Sequence, residues 1–172
     1  MDDSRAALKE LTAAADSRTR GFLLGGTYKD YDELRAGGDQ DRQPQTGYSE
    51  WDADGKFQFR ARPDLLLTIA HQRVDLNDAS RTHATRFGVE WHGTRVGTDF
   101  KRDFDQDRRL TYVRADWTEP AGFLDEAKLT LSLHEQDARQ TRIARNGRLT
   151  IDGFDVNTYG AELQLRSDTP IG

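Results

Sequence analysis

Four histidines, at positions 71, 83, 92 and 134, are the side chains of this sequence best suited to chemistry near neutral pH. His83 and His92 share one stretch with Arg81, Arg86, Glu90 and Arg95. Imidazole beside guanidinium can hold an anionic chelate or a haem, and a solvated loop is the alternative reading of the same residues. His71 falls on an apolar parity, where an amphipathic ring suits a water–lipid boundary better than a ligand role. His134 falls on a polar parity beside Glu135 and can simply be solvated. The carboxylates gather in "DGFD" (152–155), "DLND" (75–78) and "DFDQD" (103–107). None has the sixth-position glycine and terminal glutamate of a calcium loop, although the loop at 99–107 stays a calcium candidate. "GGDQD" lacks the strand and helix of a phosphate loop. No Ser/His/Asp order stands out, so no catalytic residue is assigned and no enzyme is expected. Cysteine is absent, which rules out disulfides and zinc–thiolate sites. No cofactor-binding or metal-ligating set is assigned.

These side chains sit in a chain of 172 residues, room for one ordinary domain. The net charge of -5 and pI of about 5.4 leave no basic excess, so no nucleic-acid partner is expected. No run approaches the roughly 20 apolar residues of a membrane helix. The longest, Leu65 to Ala70, is interrupted by Thr68. The N-terminus lacks the basic-then-apolar order of a secretion signal, so the chain either stays in the cytoplasm or is a piece of a longer precursor. A mean hydropathy of -0.86 does not exclude a membrane, because barrel strands alternate and their signal averages out.

Alternation is the dominant pattern. In "SEWDADGKFQFRA" (49–61), Ser49, Trp51, Ala53, Gly55, Phe57, Phe59 and Ala61 share one, mostly apolar, parity. Glu50, Asp52, Asp54, Lys56, Gln58 and Arg60 share the other, so a strand here has an apolar and a charged face. The same reading predicts strands over 21–31, 65–74, 109–119, 127–136 and 158–166. Residues 1–17 read either way: Ala, Leu, Lys and Glu favour a helix after Ser4, and the hairpin order that follows favours a strand. The connections are expected to alternate: about fifteen residues after the strand at 21–31, a tight "RPD", and roughly thirty residues from Asn77 to Asp107. A short "EPAGFLD" and a longer "RIARNGRLTID" follow. Long loops on one rim and short turns on the other are the layout of outer-membrane barrels. Tyr28, Tyr31, Tyr48 and Trp51 lie near the long loops, and Phe22, Trp117 and Phe123 near the short turns, as two interfacial belts would require.

The segments "GFLLGGTYKDYDELRAGGD", "QPQTGYSEWDADGKFQF", "RTHATRFGVEWHGTRVGTDFKRDFDQDRRLTYVRADW" and "GFDVNTYGAELQLRSDTPIG" resemble, in order, the barrel of TonB-dependent outer-membrane receptors. The resemblance runs from Arg18 to the C-terminus. It implies an all-β, antiparallel up-and-down meander of six to seven strands, residues 1–172 forming part of a transmembrane barrel. It also implies a Gram-negative outer-membrane location and import of a scarce ligand such as an iron–siderophore complex, haem or cobalamin. The partners it implies are outer-membrane lipid, a plug domain and further barrel strands lying outside this chain, TonB acting through the parent protein, and a small-molecule chelate. A haem-receptor signature is only echoed by "FRARPDLLL". With no plug and six or seven strands, the chain reads as a receptor fragment that does not transport by itself. An open sheet of this size leaves two bare edges, which favours aggregation or pairing with another copy. A soluble ligand-binding β-barrel, apolar parity inward, is the alternative; an outer-membrane enzyme would need a catalytic set that is not found.

Overall fold

The structure, a computed structural model, describes residues 7–16, 19–35, 42–88, 90 and 95–168, the first of these segments by its backbone pairing alone. Seven strands lie in one sheet in strict sequence order: β1 (Ala7–Asp16), β2 (Arg20–Tyr31), β3 (Tyr48–Arg62), β4 (Leu65–Ser80), β5 (Lys101–Ala121), β6 (Leu124–Ile143) and β7 (Leu149–Arg166). Every neighbouring pair is antiparallel. The fold is therefore an all-β meander, and the sheet is not closed: among the described residues β1 pairs only with β2, and β7 only with β6. The one helical turn among the described residues is a 3-10 turn over Thr82–Ala84.

The first segment is a strand, although its alanine and leucine favour a helix. All ten residues of β1 pair with β2, and this ladder outweighs local propensity. Pro63–Asp64 and Gly122–Phe123 make the tight turns of one rim. Two expectations about the other rim need correction. The connection between β4 and β5 is Arg81–Phe100, shorter than the expected thirty residues, because both strands run further. The connection between β6 and β7 is not long. Ala144 N donates to Arg148 O at 2.9 Å, Gly147 N donates to Ala144 O at 2.9 Å, and Gly147 sits at φ 79°. This is a three-residue hairpin loop whose left-handed position selects glycine.

Register sorts the side chains onto two faces, here named the front (carrying Phe57, Val113 and Leu131) and the back (carrying Lys56, Tyr112 and Ser132). Phe22, Phe57, Ile69, Val113, Leu131 and Ala161 stand opposite one another in a front row across β2–β7. One row towards the tight turns come Phe59, Leu67, Ala115, Leu129 and Leu163, and beyond them Trp117, Ala127 and Leu165. One row towards the loops lie Leu24, Gly55, His71, Thr111, Leu133 and Tyr159. Four rows at two residues each make a band roughly 20 Å tall between Cα atoms. The back at the same height carries Gln58, Thr68, Arg114, Thr130 and Glu162.

This sheet has almost no core of its own. Ala70 and Ala138 are the buried hydrophobic residues among those described, while Ile69 and Leu131 are each 51% exposed. The accessible surface is 12496 Å², against about 8,500 Å² for a compact monomer of this mass. At about 25 cal/mol per Å², an apolar face of this extent is a large driving force for being covered.

Candidate functional site

Above the band the front changes from apolar to charged. On the front, the next two rows are Arg73, Arg109, Glu135 and Asn157, then Asp75, Asp107, Asp137 and Asp155. They form an ionic lattice: Arg73 pairs with Asp75 at 3.0 Å and with Asp107, and Arg109 Nε lies 2.9 Å from Asp107. Arg73 also stacks its guanidinium 4.8 Å from the centre of the Trp51 ring. The back at this level is mixed, with Val74 and Leu76 on β4, Ala138 on β6, and Phe154 and Val156 on β7 beside Glu50 and Asp52 on β3, Gln106 and Arg108 on β5 and Gln136 on β6. Oppositely charged residues two apart on one strand share a face, so Arg73/Asp75, Asp107/Arg109 and Asp137/Arg139 were signals in the sequence for this lattice. Sequence reasoning missed them.

It also missed the latch of the longest connection. Asp99 is 4% exposed and accepts two bonds from Arg142, from Nε at 2.6 Å and from Nη2 at 3.0 Å. Those bonds hold its carboxyl below the usual aspartate range, against the opposing effect of burial. Asp99 O also accepts from Arg86 N at 3.0 Å, and Gly97 N donates to Thr85 O at 3.1 Å, so the pair anchors a folded loop. A depressed folded pKa means that the stabilisation is complete above the ordinary carboxylate pKa of about 4 and disappears as pH falls through the lower folded value. Protection factors of the Arg86 and Gly97 amides are accordingly expected to hold from pH 7 to 5 and to drop in stronger acid. Hydrogen exchange read by NMR checks this, and undiminished protection at about pH 2 would contradict it.

The histidines do not converge. His83 lies in the 3-10 turn and accepts from Arg102 Nη1 at 3.1 Å, while His92 lies outside the described residues. Arg81 stacks over Phe104 at 4.7 Å, and Arg86 over Phe87 and Phe100, so these guanidiniums are occupied by rings. Glu90 and Arg95 are exposed. The expected anion or haem cluster is thus not assembled by the described part of this loop. His71 is on the front, its Nδ1 2.8 Å from Thr111 Oγ1. His134 is on the back between Leu110 and Thr158, opposite in face to Glu135.

The calcium candidate over 99–107 does not survive as a loop. Lys101 begins β5, Asp103 pairs with Lys101 at 2.5 Å, and Asp107 is held by two arginines. Among the described residues no group of three or more potential ligands is arranged to hold a metal. The aromatic belt also needs revision. Tyr28 and Trp51 pair on the front, but Tyr31 and Tyr48 stack at 4.6 Å on the back. At the opposite rim, Trp117 Nε1 donates to Asp64 Oδ2 at 2.7 Å and Arg62 lies over the Trp117 ring at 5.0 Å, which fixes this indole at the edge of the band.

What fold and surface define together is an uncovered antiparallel meander, apolar across the front and polar behind, with a front that turns charged beyond the band. Comparison with protein-family models, curated protein sequences and solved structures gives no match to this chain.

Proposed function

We propose that the chain is a section of the wall of an outer-membrane β-barrel, of the kind found in TonB-dependent receptors. The front faces lipid and the back faces the interior of the barrel. The observation that carries this reading is the four-row apolar band left exposed on a sheet without a core. Its height approaches the roughly 25 Å lipid-facing band of such barrels. The charged lattice above it suits the part of the wall that leaves the hydrocarbon, and the rims suit it too, with the tight turns on one side and the longest connections on the other. The parent protein resides in a Gram-negative outer membrane and imports a scarce ligand: an iron–siderophore complex, haem or cobalamin. A plug domain, further strands and TonB complete the transporter. The section alone transports nothing, since an open sheet encloses no pore.

Nitroxide labels at Phe57→Cys and Lys56→Cys test the orientation in a reconstituted parent. Oxygen dissolved in lipid is expected to relax the label at 57 and a water-soluble nickel chelate the label at 56. The reverse accessibility, or a monodisperse monomer in detergent-free buffer with cooperative unfolding, favours the soluble ligand-binding barrel instead.

A further inference from the structure

Charges on the back are mostly answered by neighbours. Lys29 pairs with Glu50 and Asp52, Arg114 and Lys128 share Asp116, and Arg142 holds Asp99. Arg108 is different. It is exposed on the back of β5 and makes no ion pair, hydrogen bond or ring contact among the described residues. It lines a trough of about 360 Å³ with Gln72, Val74, Leu110 and His134. Gln72 and His134 likewise have no polar partner among the described residues. Three strands therefore aim a guanidinium, an imidazole and an amide into one recess, while Val74 and Leu110 give it an apolar lining. A second trough, on the far side of Gln72 and Leu110, adds Tyr112, Lys56 and the carboxylate of Asp54, so the anion is placed in the first trough, at Arg108. Lys56 also lacks a counter-ion among the described residues.

The geometry points to this recess as a binding site for a small organic anion, a carboxylate or phenolate attached to an apolar or aromatic body. Arg108 presents a fork of donors matched to two oxygens of one anionic group. Gln72 and His134 donate from the flanks, and Val74 and Leu110 lie under the body. A bare inorganic anion would leave that apolar lining unused, and a neutral ring would leave the guanidinium unanswered. The inference rests on the proposed function only in taking the back as the accessible interior face.

The test uses the chain refolded in detergent micelles, with benzoate as probe and benzyl alcohol and inorganic phosphate as comparators, read by NMR at the His134 ring and the Arg108 Nε. Benzoate is expected to shift both, and Arg108→Gln to weaken it roughly tenfold or more. Arg108→Lys should retain part of the affinity, and Lys29→Gln, at a paired cation elsewhere on the back, all of it. Equal binding of benzyl alcohol or phosphate, or unchanged affinity in Arg108→Gln, overturns the site. A chain that folds only in micelles yet ignores benzoate keeps the membrane reading and loses the site. One that folds in plain buffer and binds benzoate through Arg108 does the opposite.

Discussion

Leu131→Arg is expected to cost about 2–4 kcal/mol of folding free energy in a bilayer, whereas Ser132→Arg, one residue along, costs within about 1 kcal/mol. The two positions share a depth and differ in face: Leu131 stands in the central front row between Val113 and Ala161, and Ser132 on the back between Tyr112 and Gly160. The asymmetry belongs to lipid and not to packing within the chain. Leu131 is 51% exposed in the sheet itself, so with nothing over it arginine would be accepted at within about 0.5 kcal/mol. Only an apolar medium against the front converts that exposure into a penalty. Urea titration of the two variants in phospholipid vesicles, followed by tryptophan fluorescence, measures the difference. Equal costs at the two positions would mean that no hydrocarbon lies over the front, and the proposed orientation would go with it.

The same division of faces explains what could be read from the residues alone. Where the apolar side chains fall on the front parity, as at 49–61 or 127–133, alternation identifies the strand and its two faces. Further towards the loops the front parity turns charged, and the back parity mixes apolar with polar side chains. In the first half of β5 the front positions are Asp103, Asp105, Asp107 and Arg109, and Phe104 and Leu110 are on the back. A search for a continuing apolar parity stops there, which is why β5 was expected to begin at 109 and instead begins at Lys101, and why a loop of thirty residues was anticipated. Two bulges obscure the pattern further. Asp78 and Glu119 adopt left-handed φ values of 54° and 50° where register shifts between Leu76 and Ala79 and between Thr118 and Ala121. The Asp99–Arg142 pair joins residues 43 apart and depends on the β5–β6 register, which no local pattern encodes. The recess around Arg108 was out of reach for the same reason, since its lining comes from three strands whose alignment only the ladder defines.

The unpaired edges carry the second large effect. With one chain per micelle, the amides of β7 that point away from β6 are expected to exchange roughly a thousandfold or more faster than those at the centre of β5. β5 is bonded on both sides, while β7 is exposed along nearly its whole length, Tyr159 at 78%. Copies of the chain cannot remove the contrast by closing a ring in one membrane orientation. Seven strands is an odd number, so β1 and β7 both run from the loop rim to the rim of tight turns: Ala7 stands opposite Asp30, and Leu149 opposite Ile143, both at the loop rim. Like-oriented copies set edge to edge would meet in a parallel seam, whereas single-chain bacterial barrels are antiparallel throughout with an even strand count. An antiparallel completion therefore needs an odd number of further strands, entering beside β7 at the rim of tight turns and returning to β1 at the loop rim. Exchange mass spectrometry across a titration of chain against micelle decides the matter. Edge amides that stay fast as chains are crowded together support completion by a different segment, and protection rising in β1 and β7 together to the level of β5 would show that identical copies suffice.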